Sequence, residues 1–413
     1  MTYDLVVIGA GAGGCFTAIQ LAEFSPGAKI CILEAAKRPL SKVEISGGGR
    51  CNVTHACYDP EKLITYYPRG SNELLLPFRQ FHPGDLTDWF RKKGVRLKTE
   101  EDGRVFPVTD SSRTIIDCFL QEMQKHRITL RTSTRAIHWH FNMDTQSWDI
   151  KLFDGEMLRS KTLLIASGSD DRIWKALKES GHHLISPVPS LFTFNIQHKE
   201  LLELMGVSKS FVRVSIPSIR LTTEGPLLIT HWGMSGPGVL KLSAWGAREL
   251  YDCGYVFDFE VNWTGLADPS PFLEMIRKLM AENPKRQIQK FVIKDIPARL
   301  WKYLCIRAEI PEFMSGAEFG KKQWKHLTDV LTRDTYRVTG KSTFKEEFVT
   351  AGGVDLSDID MQKFESKIQP GLFLVGEVLN IDAVTGGFNF QAAWTGAHLA
   401  AKAISERVVS RES

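Results

Sequence analysis

The run Gly9-Ala-Gly-Ala-Gly-Gly14, set between an apolar stretch and a helical one, constrains this chain more than any other feature. Tyr3–Ile8 reads as a short strand, Cys15–Phe24 as a helix, and Lys29–Leu33 as a second strand ending at Glu34. A lone G-x-G-x-x-G is weak. Placed in a β-α-β unit, with an acid twenty residues past the last glycine, it is a dinucleotide-binding fingerprint. Gly9 permits the tight turn, Gly11 lets a pyrophosphate reach the backbone, and Gly14 lets the helix pack on the sheet. The helix N-terminus offers unpaired N–H donors and partial positive charge to phosphates. Glu34 can accept from both hydroxyls of an adenosine ribose, and its charge repels a 2′-phosphate, which argues against NADP as the primary ligand.

Leu5 to Ala22 carries no charge and approaches the length of a membrane span. It is glycine-rich, and only Asp4 precedes it where a signal peptide needs basic residues. A buried strand running into a packed helix accounts for it, so neither membrane insertion nor secretion is expected. The seven cysteines are scattered, odd in number and without a Cys-x-x-Cys pair. That fits a reduced, cytoplasmic protein and offers no zinc spacing, so no metal is expected. The net charge of +4 does not by itself call for a nucleic-acid partner, and a small-molecule substrate is expected instead.

At 413 residues the chain has room for two or three domains. A loop rich in glycine and polar residues, Ala35 to Ala56, follows the second strand. Helices are expected around Asn72–Phe81 and Pro83–Lys93, and over Ser111–His126 with Ser111 at the cap. Ile128–Ser133 returns as a strand. His138–Phe141, Trp148–Phe153 and Met157–Ile165 form a meander that turns at Asp154-Gly155. From about Pro187 to Trp263 short, Pro- and Gly-punctuated strands dominate, and Pro271 to Thr332 reads as helical. Between Phe272 and Lys345 there are sixteen Lys/Arg against eight Asp/Glu. Solvated helix faces are the simpler account of that excess; a field for an anionic substrate or nucleic acid is the sharper one. Strand-like sequence resumes at Phe344–Ala351. Gly371–Gly376 then reads as a strand, and Phe388 to Val408 as a helix carrying small residues at Ala392, Ala393, Gly396, Ala397, Ala400 and Ala401, suited to close packing on a sheet. The end of the chain thus resembles its beginning. The fold class expected is α/β, with a nucleotide domain made of the first and last parts of the chain around an insertion.

The first β-α-β unit cannot separate FAD from NAD. Ser46-Gly-Gly-Gly-Arg-Cys-Asn52 separates them. Gly48 and Gly49 give a backbone that can lie flat against a large planar ligand. Arg50 can pair with a phosphate or a flavin carbonyl, and Asn52 can hydrogen-bond a heteroatom. A simple dehydrogenase needs no such loop so soon after its second strand.

At Ser46–Asn52 the chain resembles the bacterial BaiN/YhiN-like family of NAD(P)/FAD-dependent oxidoreductases, which includes aminoacetone-oxidase-like flavoproteins. Further matches run along almost the whole chain: Gly103–Pro107, Gly181-His182 with Pro189–Leu191, Thr230–Pro237, Val349–Val354, Glu365–Lys367, Gly371–Leu379 and Thr385–Gln391. The resemblance implies a discontinuous Rossmann-type, glutathione-reductase-like FAD-binding domain (1–187 plus 350–413). A β-rich insert domain (188–265 plus 334–349) and a small helical subdomain (266–333) would complete it. It places Gly376, Glu377, Gly387, Phe388 and Asn389 beside the ribityl chain and isoalloxazine, where a helix N-terminus stabilises reduced flavin. It puts Ala136 near adenine and Ser167-Gly168 near the pyrophosphate. Where the family usually has a second glycine-rich segment, this chain has Ser169-Asp-Asp-Arg-Ile-Trp-Lys175. That departure leaves the FAD reading intact but withdraws any substrate inferred from family members.

The chemistry expected is hydride transfer between flavin N5 and a small organic substrate, with FAD reduced by NAD(P)H or reoxidised by O₂. No second dinucleotide fingerprint is present, so NAD(P)H would dock only transiently. His231, in a Gly/Pro-punctuated loop, is the candidate acid/base; His182 is expected to pack or hydrogen-bond. Three rivals stay open: a dithiol mechanism at Cys51 and Cys57, which have five residues between them; a flavin-dependent RNA-modifying protein using the basic helices; and a non-catalytic flavin-binding module.

Overall fold

The computed structural model describes residues 2–342 and 349–409. The chain divides into two units, 1–188 with 345–413, and 189–344. The first unit is built on a sheet whose centre is parallel. Strand β1 (Thr2–Ile8) lies between β2 (Ile30–Leu33) and the Met157–Ile165 strand, with Thr129–Arg131 beyond β2 and Leu372–Leu374 beyond Met157–Ile165. Leu5–Val7 and Cys31–Ile32 are fully buried, as continuous apolar runs in a covered parallel sheet should be. The meander forms as expected, with Ala136–Asn142 and Ser147–Leu152 antiparallel to one another and the latter to Met157–Ile165.

Helix α1 (Ala12–Phe24) follows β1 and is buried from Gly13 through Ala22. The C-terminal helix, Phe388–Val409, packs against α1. Its small residues therefore serve a helix–helix contact as well as the expected approach to a sheet. A β-carbon on Gly396 would stand 2.7 Å from the Phe364 ring. Phe16 of α1 meets Trp394 at 5.5 Å and Trp89 at 5.0 Å, both edge to face. Across the same seam Gln20 Oε1 lies 2.7 Å from His398 Nδ1.

The segment expected as a loop from Ala35 to Ala56 is more ordered than that. Ser41 opens a helical stretch to Gly49 that breaks at Ser46 (ψ 147°), and Gly47 and Gly48 then turn left-handed at φ 59° and 69°. Thr54–His55 pairs with Arg104–Pro107, which also pairs with Leu97–Thr99. Ser112–Lys125 is a helix capped by Ser111, whose Oγ accepts from the Arg113 N–H at 3.3 Å.

In the second unit six strands close a barrel in the order Thr193–Ile196, Gly233–Ser235, Leu221–Ile229, Ser208–Ile216, Phe257–Asn262, Asp334–Ser342. The helical stretch expected over Pro271 to Thr332 forms Ser270–Glu282, Ala298–Arg307 and Lys321–Arg333. It shares one hydrophobic core with the barrel: Phe259 and Val338 belong to the same cluster as Ile276, Trp301 and Leu327. Of the expected Phe344–Ala351 strand, residues 343–348 lie outside the described residues, and Val349–Val354 is a strand. No described helix is long and apolar enough to cross a membrane.

Candidate functional site

The carboxyl ends of β1, β2, Met157–Ile165 and Leu372–Leu374 lie side by side, so the loops that leave them share one edge of the sheet. This is where an open α/β sheet binds its ligand. Gly9 turns at φ 106°, and a β-carbon there would stand 2.4 Å from the Ala166 carbonyl oxygen. A β-carbon on Gly14 would stand 2.1 Å from Gly9 O. Both glycines are required by neighbouring backbone. Gly11, the N-cap of α1, differs: a β-carbon there would meet nothing within 4 Å, and no side chain caps the helix. Its exposed N-terminus faces open space, as a phosphate site requires.

Glu34 accepts from the Ala10 N–H at 2.9 Å and the Ala36 N–H at 2.7 Å. The carboxylate thus braces the fingerprint turn as well as standing where the ribose is expected. Thr134 N–H donates to Glu34 O at 2.8 Å, and Ser133 N–H to Ala36 O at 2.9 Å. These bonds tie the segment leading to Ala136 to the end of β2. Ala136 is buried and opens the first strand of the meander.

Ser167 and Gly168 follow directly on Gly9's neighbour Ala166. A β-carbon on Gly168 would lie 3.6 Å from Glu377 Oε2, and Glu377 pairs with Lys42. Lys42 had no sequence signal: its partner lies 335 residues away. The Ser169–Lys175 departure also finds its reason. Asp170 caps the helix Asp171–Glu179, accepting from the Arg172 N–H at 2.9 Å, and the buried Trp174 donates its Nε1–H to Val378 O at 2.9 Å. Charge and bulk here start a helix and hold the backbone next to Glu377.

The second glycine loop lies against the start of the C-terminal helix. β-Carbons on Gly48 and Gly49 would meet nothing, whereas one on Gly47 would stand 2.9 Å from Asn52 N. Asn52 is buried, and its Oδ1 has no hydrogen-bond partner. A β-carbon on Gly387 would stand 2.9 Å from that oxygen and 2.7 Å from the Thr54 carbonyl. Below, Thr54 Oγ1 donates to Gln391 Oε1 at 2.6 Å, and Trp394 Nε1 donates to Val53 O at 3.0 Å. Phe388 packs with Tyr66 (4.2 Å) and His55 (4.6 Å) in one aromatic cluster, and its carbonyl accepts from the Tyr67 hydroxyl at 2.6 Å. Asn389 forms a two-way bond with Ala383, accepting at 2.9 Å and donating at 3.1 Å. The side chains of Phe388 and Asn389 therefore fix the helix start; Gly376 (φ 78°) has room beside it, whereas Gly387 (φ 90°) lies tight against Thr54 and Asn52.

Arg50 is turned elsewhere. Its guanidinium lies 4.0 Å over Phe106, 2.6 Å from Glu100 and 3.5 Å from Asp110. His231 sits exposed at the turn between Leu221–Ile229 and Gly233–Ser235, its ring 4.5 Å from that of Trp232. His182 is buried, with Nε2 2.8 Å from Ser366 Oγ and Nδ1 3.2 Å from Leu177 O. Burial lowers its pKa, as a packing role implies. Cys51 is buried, and desolvation pushes its thiol up to about 12; burial raises Cys57 too. Neither supplies a thiolate at neutral pH, which weakens the dithiol rival.

Two open glycine loops, an uncapped helix N-terminus and one buried amide oxygen without a partner fit an FAD laid across this edge of the sheet. The group would supply two-electron chemistry; the chain supplies its cradle.

Known proteins agree with that fit. A family model described as HI0933-like protein Rossmann domain matches residues 3–403. The ribosomal RNA dihydrouridine synthase of Escherichia coli (strain K12) is 27% identical over 96% of each chain. The 3-dehydro-bile acid delta(4,6)-reductase of Clostridium scindens is 24% identical over 97% of this chain and 98% of its own. Among solved structures, the 3-ketosteroid-delta4-(5alpha)-dehydrogenase of Rhodococcus jostii RHA1 shares the fold, with a TM-score of 0.55 at 12% identity over 98% of this chain and 97% of that one. The chain belongs to the HI0933-like Rossmann family and is an FAD-dependent oxidoreductase.

Proposed function

We propose that this protein reduces an electron-poor carbon–carbon double bond, one conjugated with a carbonyl, in a small organic substrate. FAD held here would supply the two-electron chemistry, with NAD(P)H as the source of the hydride that adds to the far carbon of that bond and a proton from the protein or solvent completing the addition. The observation that carries the flavin half is the unpartnered Oδ1 of Asn52 beside Gly387, at the N-terminus of the Phe388–Val409 helix. That helix end favours negative charge on the flavin pyrimidine as it is reduced. Glu34 and the α1 N-terminus bind the adenosine end, and Asn52 and Gly387 orient the ring.

The double-bond half draws on the relatives. One is named for a dihydropyrimidine in RNA, the other for the Δ4,6 bonds of a 3-dehydro-bile acid. Both names describe saturation of a bond in conjugation with a ring carbonyl. His231 keeps its sequence-based role as proton donor: His231→Gln should lower turnover with FAD content unchanged.

The test is anaerobic. NADH or NADPH should bleach the flavin absorbance near ~450 nm, a general property of the oxidised ring. A cyclic enone should then restore it and gain two hydrogens. Bleaching followed by reoxidation with O₂ alone, across a panel of enones, would replace this reading with an oxidase.

A second reading has its own support: the Escherichia coli relative acts, by its name, on ribosomal RNA. Conversion of uridine to dihydrouridine in added ribosomal RNA, read by mass spectrometry, would select it over the small-molecule reading.

A further inference from the structure

Two cations of the basic stretch between Phe272 and Lys345, Arg277 and Lys321, line one cavity in the second unit. This cavity, of about 370 Å³, opens between the helix Ser270–Glu282 and the start of the helix Lys321–Arg333. That volume lies in the ~300–1,000 Å³ range of small-molecule sites. Its lining combines two cations, Arg277 and Lys321, with two aromatics, Phe319 and Trp324, over Met280, and includes no carboxylate. The Arg277 guanidinium lies 4.5 Å over the Trp324 ring, and Phe319 meets that ring edge-on at 6.1 Å and 82°.

Three features of this place bear on what it could bind. First, its two cations share one lining with two aromatics, and neither is held in an ion pair as Lys278 is by Glu282. Arg277 and Lys321 have no carboxylate partner among the described residues. Second, the helix Lys321–Arg333 starts at Gly320 with no side-chain cap and no acid in its first turn. It opens instead on Lys321 and Lys322, so two positive side chains stand at a positive helix end. Third, Trp324 is only half-buried: Arg277 lies over its ring, and the indole is otherwise partly open to the cavity it lines.

We propose that this cavity binds a nucleotide unit: an aromatic base stacked on Trp324, with its phosphate at Arg277, Lys321 and the Gly320 helix end. An acidic peptide would meet the cations but leave the aromatic faces unused. A metal cation has no ligand here. The chemistry common to a free nucleotide and to single-stranded RNA, a planar base carrying a phosphate, satisfies both halves of the lining. The site is independent of which bond the flavin reduces.

The test uses the full-length, FAD-loaded protein and a short fluorescein-labelled single-stranded RNA, followed by anisotropy at several salt concentrations. Wild type should bind saturably. Trp324→Ala should weaken binding about tenfold with the salt dependence unchanged, because stacking carries no counterion term. Arg277→Gln, on an exposed helix face where folding is safe, should reduce the salt slope by about one. FAD content should match wild type in both, and the melting temperature in Arg277→Gln; Trp324→Ala also loses packing on the core, so its binding is read well below its own melting temperature. Competition by UMP would identify a mononucleotide as sufficient; binding of the RNA that UMP does not displace would identify a strand. Either result supports the site. It is overturned if wild type fails to bind both probes at low salt, if Arg277→Gln binds as wild type, or if inorganic phosphate competes as well as UMP.

Discussion

A β-carbon on Gly387 would stand 2.9 Å from the side-chain oxygen of Asn52, a buried atom with no hydrogen-bond partner. One residue has a polar group without a partner, and only a glycine fits so close beside it. On the proposed reading both belong to the flavin cradle. Asn52→Ala should therefore raise the FAD dissociation constant roughly tenfold, the loss expected for one buried hydrogen bond. Gly387→Ala should do more, since its φ of 90° disfavours any side chain and the added carbon would press on the Thr54 carbonyl at 2.7 Å. Flavin released on heating, measured per mole of protein, checks both. Unchanged FAD retention in Asn52→Ala would remove this residue from the cradle.

The cysteines give a second expectation. Cys51 is buried with its thiol pushed up to about 12, and Cys57 is raised by burial. Cys57→Ala should retain turnover and the same reduction rate of the flavin by NAD(P)H. Loss of turnover with FAD still bound would bring back a dithiol mechanism.

What could be read from the sequence was local. β1, α1 and β2 announce themselves by an apolar run, a glycine turn and a second run, and the C-terminal helix by its row of small residues. Asn52 could be proposed because its loop is a contiguous string. The rest depends on partners far apart in the chain. Lys42 meets Glu377 across 335 residues, and Thr54 meets Gln391 across 337. Arg50 read as a partner for a phosphate or a flavin carbonyl from its place in the glycine loop; its pairing with Glu100 and Asp110 arises only on folding. The barrel could not be closed on paper, since its strand Thr193–Ile196 pairs with Asp334–Ser342 beyond the whole helical stretch.

In the second unit, Asp334 should be the most sensitive single charge. It is 2% exposed and accepts from Trp263 Nε1 at 3.0 Å, from Arg307 Nε at 3.1 Å and from the Tyr336 hydroxyl. Asp334→Ala leaves the buried indole N–H without its acceptor and takes the counter-ion from half-buried Arg307, which keeps Thr335 O and His198 Nε2, while the Tyr336 hydroxyl keeps Tyr303. The cost should be about 2 kcal/mol or more, from one unsatisfied buried donor and one ion pair broken. Chemical denaturation checks it. A loss below about 1 kcal/mol, the scale of an exposed pair, would mean that water reaches Arg307.

Acid should loosen the seam between α1 and the C-terminal helix. His398 stacks on Phe81 at 4.3 Å and shares its Nδ1 with Gln20 Oε1 at 2.7 Å. Burial lowers its pKa to about 4, against 6.5 for an ordinary histidine; Asp85 and Glu23 act the other way, and Lys402 adds to the lowering. A base with a lowered folded pKa stabilises the fold above the unfolded value, where both states are neutral. Below it the unfolded chain takes up the proton first, so stability falls between pH ~6.5 and pH ~4 and then levels off. At ~1.4 kcal/mol per pH unit the full loss is on the order of 3 kcal/mol at most. His398→Gln, which keeps a polar partner for Gln20 without a titrating ring, should flatten that part of the stability curve and leave the protein's stability near pH 4 equal to or above wild type. An equally steep fall in the variant would assign the acid sensitivity to other groups.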